Sequence, residues 1–111
     1  MPARHTQQRR RELVATKPKR YTVTQGIAPR PDDPWFVAEV KPNGNMRRVS
    51  SKHLPLRPTR EEAENDLLQW IWRQRTGNVA RMTMSFTEWL SRDREYVQGM
   101  VLGIDVERFL D

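Results

Sequence analysis

The 111-residue sequence contains no cysteine, which excludes disulfide bonds, thiol nucleophiles and Cys-ligated zinc. Histidine is scarce as well. His5 and His53 stand far apart, neither with a carboxylate or second ligand at metal-binding spacing, so both are expected at the surface. No apolar run approaches the length of a membrane span, and no signal-peptide core follows Met1. The chain is therefore expected to stay in the compartment where it is made, the cytoplasm. A Gly-rich phosphate loop, a G-x-S-x-G elbow and an H-E-x-x-H pair are also missing. The expectation is a protein that is not an enzyme and takes no cofactor, metal or small-molecule substrate.

Charge and tryptophan are what remain. Hydrophobic residues make up 36% and charged residues 31%, which allows one modest core in a single domain but no deep cleft between domains. Four tryptophans supply apolar area that aliphatic side chains supply elsewhere. The net charge of +6 is unevenly placed. Residues 1–20 carry Arg4, Arg9, Arg10, Arg11, Lys17, Lys19 and Arg20 against Glu12, a net of +6. Residues 21–60 hold seven basic and three acidic side chains, +4, and residues 61–111 six and ten, −4, so the remainder is neutral but polarised. The first 20 residues have few apolar side chains and no sustained period. They read as a basic flexible arm with at most a short helix from Gln7 to Val14. Such an arm either solubilises a domain or contacts nucleic acid.

From Tyr21 the pattern alternates: Tyr21, Val23 and Ile27 are separated by Thr22, Thr24 and Gln25, the period of a half-buried strand. The loop APRPDDP, rich in proline and aspartate, then makes an exposed connection. Trp35 to Lys41 reads as a second strand, Asn43-Gly44 as a two-residue type I′ turn, and Asn45 to Lys52 as a third strand. That turn sets a register in which Lys41 faces Met46, Val40 faces Arg47, Glu39 faces Arg48, Ala38 faces Val49 and Val37 faces Ser50. Phe36, Ala38, Val40 and Val49 then share the buried face with Tyr21, Val23 and Ile27. The exposed face holds Trp35, Val37, Glu39, Lys41, Met46, Arg48, Ser50 and Lys52. There Trp35 either packs under the Pro-rich loop or stacks on a base or a partner.

Thr59 and Glu62 form a capping box that opens a helix over 60–76, with Arg73 and Arg75 in its last turn and Gly77 ending it. The cluster Glu61, Glu62, Glu64 and Asp66 sits where the helix dipole favours carboxylates, and reads as helix chemistry rather than a metal or acid–base site. Ala63, Leu67, Trp70, Ile71 and Gln74 make the stripe expected to cover the sheet, while Leu68 and Trp72 lie round from it and need a second partner. A C-terminal helical region over 86–111 is expected to supply it. Ser85 and Glu88 form its capping box, Phe86, Trp89, Leu90, Val97 and Val101 share one face, and a short turn after Asp105 folds Val106, Phe109 and Leu110 back. The expected fold is α+β, a three-stranded antiparallel sheet over 21–52 packed on one helix and followed by a C-terminal helix, in a single small domain of residues 21–111.

With these elements in hand, residues 21–75 resemble the small three-stranded-sheet-plus-helix domains of arm-type and AP2-like DNA binders, including the amino-terminal domains of tyrosine recombinases. The resemblance rests on Trp35 opening the second strand, Gly44 in the turn, and the run Leu56-Arg57-Pro58-Thr59-Arg60-Glu61-Glu62-Ala63-Glu64, which is similar to the apolar-x-x-Thr-x-x-Glu-Ala start of their helix. It implies a sheet face that enters the major groove, with Trp35, Lys41, Arg48 and Lys52 as contacts. The Pro-Asp loop and Glu39 depart from that pattern. A double-stranded-RNA-binding domain has a similar order of elements, but Glu61 and Glu62 stand where its phosphate-holding basic residues belong.

Two functions follow. In the first, a small accessory protein binds nucleic acid, DNA rather than RNA: Arg9, Arg10, Arg11, Lys17, Lys19 and Arg20 hold phosphates while Trp35, Lys41, Arg48 and Lys52 position the sheet face. In the second, a protein-interaction module docks a protein partner through the apolar run VLGIDVERFL, residues 101–110.

Overall fold

A computed structural model describes residues 19–77 and 83–110 of the chain. The arm residues Arg9, Arg10, Arg11 and Lys17, and the short helix expected from Gln7 to Val14, lie outside the described residues. Strands β1 (Arg20–Thr24), β2 (Phe36–Val40), β3 (Met46–Arg48) and β4 (Val101–Leu102) form one sheet in the order β3-β2-β1-β4. The three N-terminal strands pair antiparallel as the alternation predicts. The sheet is nevertheless four-stranded and mixed, because β4 returns from the C-terminal region and lies parallel to β1, with Tyr21 opposite Val101. No local pattern announces a two-residue strand. Its place is held by the Val101 side chain, 1% exposed, and by the Thr22 hydroxyl, which donates to the Leu102 carbonyl at 2.8 Å.

Strand β2 is turned over relative to the sequence expectation. Val40 pairs with Met46, Glu39 with Arg47 and Ala38 with Arg48, a slip of one residue. Pro42 is the physical reason. A two-residue Asn43-Gly44 loop would make Pro42 the closing partner of Asn45, and proline has no N–H to donate. The chain instead closes one residue earlier: Lys41 N donates to Asn45 O at 2.7 Å, and Gly44 N donates to Lys41 O at 2.9 Å. Gly44 takes φ 88°, whereas Asn43 stays at negative φ, as in a three-residue loop whose last position is left-handed rather than in a type I′ turn.

The slip exchanges the faces of β2, while Tyr21 and Val23 of β1 and Met46 and Arg48 of β3 keep their expected sides; β3 ends at Arg48 rather than reaching Lys52. Val23 lies opposite Val37, and Tyr21 opposite Glu39, so Trp35, Val37 and Glu39 join Tyr21 and Val23 on the helix side. Phe36, Ala38 and Val40, expected in the core, stand on the other side. Ile27, also expected inside, is 93% exposed, because β1 ends at Thr24. Arg48 faces Ala38, not Glu39.

Helix α1 (Arg60–Arg75) starts as its capping box requires, with Glu62 N donating to Thr59 Oγ1 at 3.2 Å. Ala63, Leu67 and Ile71 are buried, and Trp70 meets Tyr21 of the sheet edge-on at 5.4 Å. Leu68 and Trp72 face the C-terminal helices, with the Trp72 and Phe86 rings 5.7 Å apart. The expected phase of this helix is the observed one. The C-terminal helix is broken at Asp93 into α2 (Phe86–Arg92) and α3 (Arg94–Met100), and a 3-10 turn over Val106–Phe109 follows β4. At the break Asp93 takes φ −97° and ψ 14°, and its carboxylate accepts from Trp89 Nε1 one turn back at 3.1 Å and, across to α1, from Arg75 Nε at 2.9 Å. The core joins one sheet face to all three helices and takes in Leu54 from the Pro-punctuated link.

Candidate functional site

The sheet face opposite the core is built from alternate strand residues: Arg20, Thr22 and Thr24 of β1, Phe36, Ala38 and Val40 of β2, Met46 and Arg48 of β3. The pairing sets rows across it, Met46-Val40-Arg20 and Arg48-Ala38-Thr22. The two arginines thus lie on β3 and β1, on either side of β2, with small and apolar side chains between them. Glu39, the only acidic residue within these three strands, points to the helix side, so no carboxylate occupies a strand position on this face. Ala38 is 1% exposed and forms its floor, Phe36 and Val40 are half-buried, and Met46 is exposed.

A groove of about 380 Å³ crosses one half of this face, between the loop that follows β1 and the hairpin tip. Ile27, Met46, Phe36, Ala38 and Arg48 line it together with Thr24 and Asn45. Arg48 Cζ lies 5.9 Å from the Phe36 ring centroid. Ile27 is held outward between two left-handed residues, Gly26 at φ 105° and Ala28 at φ 51°, and a non-glycine residue in that region carries backbone strain. The loop is tied down around it. Gly26 N donates to Thr24 Oγ1 at 3.0 Å, Gln25 Nε2 donates to Asp33 O at 2.8 Å, and Arg30 N donates to Asp33 Oδ2 at 2.9 Å.

Of the expected contact residues, the structure brings Arg20 and Arg48 to this face. Trp35 and Lys41 lie on the other. Trp35 exchanges backbone hydrogen bonds with Arg57 at 2.7 and 2.9 Å and has the Arg60 guanidinium 5.8 Å from its ring centroid. Lys41 sits 3.4 Å from the Glu39 carboxylate. Lys19 is exposed just before β1, and Lys52 is exposed in the turn after β3. Ile27 and Phe36 were expected in the core, whereas Met46 was expected on the exposed face, where it is found. Pro42 beside Asn43 was the signal that would have found Phe36, because it decides which side of β2 faces out.

The acidic cluster at the start of α1 does more than cap it. Glu64 is 1% exposed, and Arg108 Nη2 donates to its Oε1 while Arg60 Nε lies 3.3 Å from Oε2. Arg60 Nη2 also donates to Gly103 O at 2.6 Å, fastening the C-terminal turn to the helix. Asp66 accepts from Arg57 Nε at 2.6 Å and Nη2 at 3.2 Å, and this hydrogen-bonded carboxylate raises the Arg57 pKa further. Tyr21 has its phenol pKa raised, first by burial and then by the Glu39 charge. Among the described residues, no group of three or more His, Asp or Glu is placed to hold a metal ion, and no helix is long and apolar enough to cross a membrane. Val101, Ile104 and Val106 are buried in the core, and Phe109 and Leu110 pack against it. The apolar run expected to dock a partner is largely occupied within its own fold.

Fold and face together define a small α+β domain with one sheet face covered by helices and the other left open by the described residues, apolar along β2 with an arginine on each neighbouring strand. Comparison of the chain with protein-family models, with curated proteins and with solved structures found no match.

Proposed function

We propose that the protein binds nucleic acid through the open face of its sheet, with the basic arm adding phosphate contacts. The carrying observation is the charge of that face: Arg20 and Arg48 on either side of β2 and no carboxylate on its strand positions. Arg20 is also the first residue of β1, so the +6 arm of residues 1–20 joins the domain at the edge of the same face. Lys and Arg contacts to phosphate supply sequence-independent affinity, and the sheet supplies orientation. A second reading, docking of a protein, is favoured by the exposed apolar side chains of Ile27 and Met46. The two arginines favour a polyanion over it.

Fluorescence anisotropy of a labelled oligonucleotide, titrated from about 50 to 200 mM salt, tests the proposal. Deleting residues 1–18 should remove most of the affinity. Replacing Arg20 and Arg48 together with alanine should flatten the plot of log K against log salt by up to about 0.7 to 0.9 for each phosphate that is no longer neutralised. Unchanged affinity and slope in both variants would sink the reading.

A further inference from the structure

The open face is concave where the groove crosses it, and the distribution of its chemistry is informative. Major-groove readers insert a protruding helix or a two-stranded ribbon between the DNA backbones. Here the protruding parts, Ile27 on one side and the hairpin tip on the other, flank a hollow. The lining of that hollow is mostly apolar, from Phe36, Ala38, Ile27 and Met46 with Thr24 and Asn45 among them, while charge is confined to Arg48 in the lining and Arg20 across β2 from it. A phosphate against the Phe36, Ala38, Ile27 and Met46 part of this hollow would lose hydration to carbon atoms, which is unfavourable, and only Arg48, Thr24 and Asn45 offer it donors. A planar, largely apolar group tethered to phosphates satisfies both parts at once, with the plane on the apolar lining and the phosphates at the arginines.

We infer that this groove receives an unpaired nucleobase, so that the preferred ligand is single-stranded nucleic acid rather than a duplex. The inference rests on the nucleic-acid reading and narrows it. In a duplex the base faces are hidden in the stack, and only edges and phosphates are presented. A single strand can turn a base out to lie on apolar, aromatic and guanidinium surfaces. Arg48 and Phe36, 5.9 Å apart, present two such surfaces at the groove, and the hydrogen bonds from Gln25 and Arg30 hold the Ile27 wall in place before any ligand arrives. The two glycines in the lining stand beside open space. A Cβ on Gly44 would meet nothing within 4 Å, and one on Gly26 would only touch the Phe36 ring at 3.9 Å.

The full-length chain is titrated with three labelled probes of equal length: a thymidine strand, the corresponding duplex, and a strand with the same phosphates but abasic sugars. The thymidine strand should bind about tenfold or more tightly than the abasic strand, the scale of one stacked base, and more tightly than the duplex. Ile27→Gln removes the apolar groove wall without adding charge at a 93% exposed position, so the fold should survive, as an unchanged urea midpoint would verify. It should weaken thymidine-strand binding about tenfold while leaving duplex and abasic binding within about twofold, since those rely on phosphate contacts alone. Met46→Gln on the opposite wall should act in the same direction. If the three probes bind alike and neither variant discriminates among them, the base pocket is refuted while nucleic-acid binding stands. If no probe binds at low salt, the nucleic-acid reading itself fails, and the pocket falls with it.

Discussion

Removing Arg108 should destabilise the protein more than removing the carboxylate it binds. Glu64 is 1% exposed, whereas the Arg60 and Arg108 side chains keep 49% and 50% of their exposure. In Arg108→Ala the carboxylate stays buried with Arg60 at 3.3 Å as its remaining partner, and its Oε2 makes no hydrogen bond. Stripping a partner from a buried ion pair costs about 3 to 5 kcal/mol, and with Arg60 still in place the lower end, about 3 kcal/mol, applies. Arg108 also lies 5.6 Å from the Phe109 ring, but an exposed cation–π contact contributes only about 0.5 kcal/mol. Glu64→Ala leaves two half-exposed arginines free to turn into water. It loses charge-assisted hydrogen bonds but relieves the desolvation of a carboxylate, for a net loss of about 1 kcal/mol. The double variant should therefore be more stable than Arg108→Ala alone, and within about 0.5 kcal/mol of Glu64→Ala. Urea unfolding followed by tryptophan emission measures this directly. With an m-value of about 1.5 kcal/mol/M, Arg108→Ala should shift the midpoint down by about 2 M. Equal losses in the two single variants, or losses that simply add in the double, would refute the account of a buried charge.

Gly44→Ala should destabilise by about 1 kcal/mol in the same assay, because φ 88° is unfavourable for a residue with a Cβ although the space around it is empty. A loss below about 0.3 kcal/mol would mean that the hairpin tip relaxes into another turn. Tyr21 contributes a pH dependence of known sign. Its folded pKa is raised above the ordinary 10.0 by burial and by Glu39, so the unfolded chain gives up its phenol proton first. The contribution is complete below pH 10.0 and is lost as pH rises through the raised value. Tyr21→Phe should therefore flatten the alkaline fall in the urea midpoint, and an unaltered alkaline limb would assign that fall to other groups.

The sequence by itself determined what is local and periodic. The capping boxes at Thr59 and Ser85 start α1 and α2 where they are seen, since an N-cap acts within one turn. The 3.6-residue period of α1 divided Leu67 and Trp70 from Leu68 and Trp72 correctly, because a stripe four turns long leaves little freedom of phase. The alternation from Tyr21 to Val23 showed a strand and its inner face. Tertiary structure decided the rest. The parity of β2 hung on one missing N–H at Pro42, and it overrode a count of apolar residues that favoured the other face. That inversion put Phe36 and Val40 on the open side and Glu39 away from it, which creates the candidate site. The Arg75 bond to Asp93 at the helix break, the return of Val101 beside Tyr21, and the burial of Glu64 beneath Arg108 all depend on partners 18 to 80 residues away. No local window contains both members of such pairs, so propensity and period carry no signal for them. Their positions follow only when the chain closes around its core.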